Sequence, residues 1–410
     1  MRLLVPLLIF AVAGPPAARA EAGPPAGAGC LYGTVTTEDG EAVTGFLRTE
    51  SWDTFWDDVF TAVRSESPWA GQVDPEELAK ERRAEYFREE GLVARLAYVL
   101  GGGDKRGNDQ RQFLCRYGQI ARISLDRDGA VVETTDGGRH PVGRRSRDLA
   151  GELTVAAAES LVLDFDDLRE IVFFQAPAGA LPPWRRLSGT VTTTAGTLVG
   201  FIRWDLSESV DLDLLDGEDA SGDHDLPMGL IASLAKERDG TRVVLRDGRS
   251  LLLTGTNDVN ADNRGVAVEV ADLGRVTVRW RDFVRADFDL PGASGPARGD
   301  FPAGGELTGV VTDKDGRRLA GRLVWDLDEG WTWDLLNGSQ GGTEYDLPMA
   351  AIARIEPEGD GARVTLRAGT VLLLDEGTDV TAANQGVLVM ADGTTVRVPW
   401  RRLAVAEFGD

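Results

Sequence analysis

The stretch Gly33-Thr34-Val35-Thr36-Thr37 recurs as Gly189-Thr190-Val191-Thr192-Thr193 and again as Gly309-Val310-Val311-Thr312-Asp313. A long-period internal repeat constrains a chain strongly, because each copy must be one supersecondary unit and the copies must share or tile a core. Further landmarks keep the register. A second glycine follows each opening strand, at Gly45, Gly200 and Gly321. Trp204-Asp205 matches Trp325-Asp326, where the first copy has Thr49-Glu50. Asp58, Asp213 and Asp334 stand at one offset from the second glycine, and Ile120, Ile231 and Ile352 align further on. The turn glycines Gly129, Gly240 and Gly361 align, as do Phe165, Trp280 and Trp400. The copies close on Phe173, Phe288 and Phe408. The second and third copies also share Asp225-Leu226-Pro227-Met228 and Asp346-Leu347-Pro348-Met349.

The unit reads as β. Runs such as Val243-Val244-Leu245 and Val276-Thr277-Val278 lie between Asp-Gly and Gly turns, with Asp-Gly pairs at residues 39–40, 136–137, 247–248, 315–316 and 392–393. Short β-forming runs between such turns imply a sandwich or barrel. The expected fold class is therefore all-β, as three tandem diverged repeats over residues 30–175, 186–290 and 306–410. Pro/Gly/Ala-rich linkers at 176–185 and 291–305 separate them.

Two stretches in each unit, exemplified by Leu226-Pro227-Met228 to Leu234 and Val278-Arg279-Trp280 to Phe288, combine a strand, a one-turn break and apolar residues three apart. A 3₁₀ turn would aim those residues into one core. This pattern resembles small barrels of the Src-homology-3-like and Sm-like kinds, which implies one or two small barrels per repeat and no particular function.

The first copy carries an insertion at about 68–112. Asp74-Pro75-Glu76-Glu77 is a helix start, and Leu92, Val93, Leu96, Val99 and Leu100 form an apolar face before Gly101-Gly102-Gly103. The expectation is a helix that caps a barrel edge or docks a partner.

Residues 1–20 have Arg2, an apolar core from Leu3 to Ala13 and the small-residue site Ala18-Arg19-Ala20. This is the pattern of a secretory signal peptide, too short to span a bilayer. Residues 21–29 read as a flexible tether. The expected location is outside the cytoplasm, periplasmic or secreted, with no transmembrane segment in the mature chain. Lipid anchoring through Cys30 is the weaker alternative, because Gly27 stands where a lipidation motif has Leu. Cys30 and Cys115 are the two cysteines of an exported chain and are expected to pair, tying the first strand to the strand before Ile120.

With 44 basic against 67 acidic residues, the net charge is −23. That balance disfavours nucleic acid and anionic lipid as partners, leaving a protein or glycan in the cell envelope. The two histidines, His140 and His224, have no metal-ligand spacing, and no G-x-S-x-G elbow is present. The expected activity is non-enzymatic.

Two features suggest ligands. Asp258, Asn260 and Asp262 have the alternate spacing of a calcium loop, with Glu269 at its twelfth position, although Asn263 replaces the usual Gly. The third copy keeps Asp379, Asn384 and Gly386, which suits a structured turn instead. By its residues the first copy lacks this loop. Trp52, Trp56, Trp331 and Trp333 are candidate surface rings for stacking on sugars, whereas Trp280 and Trp400 are expected in the core. The leading expectation is a binding or scaffold module with no cofactor. The alternative is a carbohydrate-binding or carbohydrate-active protein.

Overall fold

The computed structural model describes residues 27–64, 69–74, 76, 112–127, 129–144, 146–292 and 295–409. The expected signal peptide, residues 21–26 of the expected tether and most of the expected helix lie outside these residues. Of the helix start, Asp74 Oδ1 accepts the amide of Glu76 at 2.9 Å.

The described chain is all-β and antiparallel. The first segment contributes β1 (Tyr32–Thr37), β2 (Ala42–Thr49), β3 (Val59–Val63), β4 (Gln112–Arg116), β5 (Ile120–Leu125), β6 (Gly129–Thr134), β7 (Arg139–Gly143), β8 (Glu152–Ala156), β9 (Ser160–Asp164) and β10 (Leu168–Phe173). The second contributes β11 (Ser188–Thr193), β12 (Thr197–Arg203), β13 (Leu214–Asp219), β14 (Gly222–Pro227), β15 (Ile231–Glu237), β16 (Gly240–Leu245), β17 (Ser250–Leu253), β18 (Val266–Val270), β19 (Gly274–Val278) and β20 (Phe283–Phe288). The third contributes β21 (Thr308–Asp313), β22 (Arg318–Trp325), β23 (Leu335–Gln340), β24 (Thr343–Pro348), β25 (Ile352–Glu358), β26 (Gly361–Leu366), β27 (Val371–Leu374), β28 (Val387–Ala391), β29 (Thr394–Val398) and β30 (Leu403–Phe408).

The first sheet runs β7-β6-β5-β10-β1-β2-β8-β9, and the third runs β27-β26-β25-β30-β21-β22-β28-β29. The second has the same order and is extended at β19 by β24 and β23 of the third segment. That junction pairs Arg275 with Asp346 and Val278 with Thr343. Among the described residues, the outer strands of the first and third sheets do not pair with each other, so neither sheet closes through them. The β3–β4 and β13–β14 hairpins stand apart as two-stranded sheets.

Two glycines face each other across the opening hairpin of every sheet: Gly33 and Gly45, Gly189 and Gly200, Gly309 and Gly321. A Cβ on Gly200 would lie 2.0 Å from the Glu269 carbonyl oxygen, and one on Gly309 would lie 2.2 Å from that of Glu407. The missing side chains let the next strand close in. The turn between β28 and β29 is the two-residue Asp392-Gly393 loop, with both φ angles positive, as a hairpin of right-handed twist requires. The one-turn breaks are 3₁₀ turns at Tyr117–Gln119, Phe165–Asp167, Met228–Leu230, Met349–Ala351 and Trp400–Arg402, whereas the break at residues 280–282 is a plain turn.

Three apolar clusters form the cores, around Val35 and Ile123, Val191 and Leu234, and Val311 and Ile355. The first also takes in Trp333 from the third segment.

The expected disulfide is not formed. Cys30 and Cys115 are free thiols buried in separate clusters, Cys30 with Phe55 and Trp184 and Cys115 on β4 with Phe60 and Phe113. Each is enclosed by its own core, and burial pushes the Cys30 thiol up to about 12. Unfolding the mature protein without reductant is expected to release two reactive thiols per chain, with neither reactive before unfolding. Thiol counting by mass shift checks this. Gly200→Ala, by overpacking against Glu269, is expected to cost about 1–3 kcal/mol in denaturant unfolding. Val199→Ala, at an exposed position on the same strand, should cost far less.

Candidate functional site

The loop after the second strand of each segment folds around one aspartate. Asp58 Oδ2 accepts the amides of Thr54 and Phe55 at 2.7 and 2.9 Å. Asp213 Oδ2 accepts those of Ser209 and Val210 at 2.8 and 2.9 Å. Asp334 Oδ2 accepts those of Gly330 and Trp331 at 2.7 and 2.9 Å. Two amides on one oxygen fix the carboxylate and turn its other oxygen outward.

That second oxygen meets an arginine from another segment in all three cases. Arg203 Nη2 of the second segment lies 2.7 Å from Asp58 Oδ1. Arg48 Nη2 of the first lies 2.5 Å from Asp213 Oδ1. Arg64 Nη2 of the first lies 3.5 Å from Asp334 Oδ1 and its Nε 3.1 Å from Asp328. Arg48 and Arg203 hold the same place in the strand order, so the first and second segments exchange arginines reciprocally, as the two halves of an isologous interface do.

Around this exchange lies a buried charge network. Arg203 also reaches Asp53 Oδ1 at 3.0 Å, and Arg275 reaches Asp58 at 3.3 Å and Glu269 at 2.5 Å. Arg116 contacts Glu269 at 2.9 Å. Arg186 holds both oxygens of Asp57, at 2.7 and 3.0 Å, while lying 4.2 and 4.0 Å from the ring centroids of Phe55 and Phe201. Burial alone would raise Asp58, but Arg203, Arg275 and Arg186 together hold it below the usual carboxylate range. Burial likewise works against Glu269, and Arg116 and Arg275 outweigh it. Asp53, where burial outweighs Arg203, is pushed up to about 8.

A second acid recurs beside each aspartate: Asp53, Glu208 and Glu329. The backbone turns that present the two glutamates hold Asp205 and Leu206, and Asp326 and Leu327, at positive φ. A third acid comes from the turn before the eighth strand, a 3₁₀ turn at Asn257–Val259 in the second segment and a plain turn at residues 378–380 in the third. Asp258 Oδ2 accepts the amide of Asp216 at 2.8 Å, and Asp379 Oδ2 that of Asn337 at 2.7 Å. The carbonyls of these two acids each accept an indole N–H, from Trp204 and Trp325, both at 2.9 Å. The first segment places Asp148 equivalently, on the amide of Thr61 at 2.5 Å. Its turn, Arg147–Leu149, therefore answers the loop that the sequence reading found missing. Burial, helped by neighbouring carboxylates, raises Glu208 to about 9 and Asp379 to about 7, and lifts Glu329 far above its ordinary value.

The expected calcium set does not converge. Asn260 Oδ1 accepts the amide of Asp262 at 2.7 Å, as a turn-forming Asn does. Glu269 sits on β18 with both oxygens turned to Arg275 and Arg116. Asp258 alone of that set faces the acid cluster. Asn263 and Asn384 each bond the glycine two residues on, at 2.9 and 2.7 Å, giving the structured turn.

The tryptophan expectation also changes. Trp56 is fully buried and donates to the Ala28 carbonyl at 3.0 Å. Trp333 is buried in the first core and donates to Asp136 Oδ2 at 3.0 Å. Trp331 stacks on Trp333 at 5.4 Å and is half-buried against Trp69. Trp52 alone is exposed, at 40%, with Arg48 5.1 Å from its ring centroid. A large apolar ring gains most by being covered, and Trp56 is taken up by the first segment's own core, while Trp331 and Trp333 are taken up by contacts between the third segment and the first. Trp280 and Trp400 are half-buried at the rims of their cores.

The arginines and Glu208 and Glu329 escaped the sequence reading. Trp204-Asp205-Leu206-Ser207-Glu208 and Trp325-Asp326-Leu327-Asp328-Glu329 carry the signal for the glutamates, a shared Trp-Asp-Leu-x-Glu. The chain matches no protein-family model, no curated protein and no solved structure.

Arg203→Ala leaves Asp53 and Asp58 buried without their main counter-ion and is expected to cost about 3–5 kcal/mol in denaturant unfolding. Arg203→Lys should restore little, because one ammonium replaces a fork shared by two carboxylates. Burial, opposed by Arg64, raises Asp334 from 3.8 to about 7. The folded state then keeps a proton that the unfolded chain gives up, so this group's contribution to stability declines as pH rises from 3.8 to about 7 and is flat beyond. Asp334→Asn keeps an acceptor for both amides and should flatten that part of the Tm–pH curve.

Proposed function

We propose that the chain is an exported, non-enzymatic β-repeat protein that acts as a binding or scaffold module in the cell envelope. Its three tandem diverged repeats are small curled β units, and its partner is a protein of the envelope. The observation that carries this reading is the use made of the aspartate sockets. Each segment builds the same two-amide carboxylate, and each carboxylate receives an arginine from a different segment. The recurring polar feature of the fold thus serves to hold units together. The same sockets spend their carboxylates on guanidinium partners and leave them unavailable for general acid–base work on a substrate.

Supporting this, the packing of Trp333 and Trp331 against His140 and Phe113 joins the third segment to the first. The net charge of −23 suits a basic protein surface as the outside partner. The signal-peptide pattern of residues 1–20 supports export. Among the described residues, no helix is long and apolar enough to cross a membrane.

The test is small-angle scattering on the mature chain and on an Arg48→Ala, Arg203→Ala double variant. The double variant should keep its β circular-dichroism spectrum and show a larger radius of gyration, because the reciprocal pair has been lost between two cores that stay folded. An unchanged radius would sink the idea that the sockets set the arrangement of units. Release of reducing ends from envelope glycans by the purified protein would overturn the non-enzymatic reading.

A further inference from the structure

One of the acid clusters is left without a positive charge at its centre. Asp205, Glu208 and Asp258 come from two loops of the second segment, and one carboxylate oxygen of each lies within 4.8 Å of the others. All three residues are buried, Glu208 to nine-tenths of its surface. Glu208 Oε2 is buried and has no hydrogen-bond partner. Asp205 is already held by the Arg264 amide and guanidinium and by Asn257 Nδ2, and Asp258 by the Asp216 amide. The unpartnered oxygen therefore faces two fixed carboxylates.

The first segment gives the contrast. Asp53 stands where Glu208 stands, and there the Arg203 guanidinium fills the corresponding space at 3.0 Å. In the second segment the reciprocal arginine, Arg48, stops at Asp213. Arg264 pairs with Asp205, whereas neither Glu208 nor Asp258 makes an ion pair among the described residues, so a cation bound between them would offset the cost that burial sets on their charged forms.

We propose that Asp205, Glu208 and Asp258 form a site for one divalent cation, and that calcium is the ion it fits best. All three donors are hard oxygens, which select calcium, magnesium or manganese over softer metals. Arg264 balances Asp205, so a divalent ion neutralises the remaining two carboxylates. Calcium accepts irregular oxygen sets at about 2.3–2.6 Å, which suits three carboxylate oxygens that lie within 4.8 Å of one another on two loops, whereas magnesium demands near-ideal octahedral geometry at about 2.0–2.1 Å. The half-exposed Arg264 side chain closes the outer face. The set shares only Asp258 with the loop spacing that the sequence suggested.

The experiment uses the mature chain, stripped with chelator and then titrated with calcium or magnesium alone, read by thermal unfolding. A native-state ligand at about 100 times its Kd should raise Tm by several degrees. Calcium should give a saturable rise larger than that given by magnesium. Glu208→Gln should abolish the rise, while Asp262→Asn and Glu329→Gln keep it. No rise in the unaltered chain would overturn the site. So would a rise that survives in Glu208→Gln, or one that is lost in Asp262→Asn. Should Glu208→Gln not fold, terbium on the unaltered chain decides. Tryptophan-sensitised emission from Trp204, whose indole bonds the Asp258 carbonyl, should appear and be displaced by calcium. Its absence would overturn the proposal.

Discussion

The arrangement of this molecule depends on a carboxylate that is used twice. One oxygen of Asp58, Asp213 or Asp334 closes a loop on two backbone amides, and the other receives a guanidinium from elsewhere in the chain. The first task belongs to secondary structure and the second to assembly. Coupling them means that a loop which loses its fold also loses its neighbour. The amide bonds orient the free oxygen before the arginine arrives, so less freedom is lost on pairing. Burial then makes the pair a requirement, since either charge alone would be stranded in a low-dielectric interior.

Around the sockets, apolar contacts do different work at each junction. Between the first and second segments, Arg186 lies between Phe55 and Phe201 and binds Asp57. Between the second and third, the contact is a backbone ladder, with β24 continuing the sheet at β19. Between the first and third it is a stack of aromatic rings, with Trp333 inside the first core and Trp69 set against Val324 and Leu327. The Cβ-free strand crossings at Gly33, Gly189 and Gly309 recur throughout, whereas the surfaces that meet have diverged.

What was legible in the sequence was mostly local. The Asp-Gly turns, the paired glycines, the 3₁₀ breaks and the recurrent aspartates all act within a few residues of themselves and leave a spacing behind. The arginines do not. Arg203 and Arg48 stand at equivalent positions, but the third segment has the buried Val324 there and takes Arg64 from the end of β3 instead. No spacing reveals a partner that lies more than a hundred residues away. Asp148 was missed for another reason: its turn, Arg147-Asp148-Leu149, lacks the Asn and Gly that mark the same turn in the other segments. The tryptophans misled because residues 331 and 333 look like neighbours on one strand face. They precede β23 in a loop, and what covers them comes from the first segment.

The aromatic junction between the first and third segments has a consequence for how such a protein could grow. In a stack where each unit touches only the next, units can be added or removed at either end with little effect on the others. Here the last unit reaches back to the first, with Trp333 filling part of the opposite core and Trp69 covering the outer face of β22. Loss of the third segment would therefore open a hole in the first core and uncover Trp69, so the contacts make the first and third segments depend on each other although more than a hundred residues separate them in the chain.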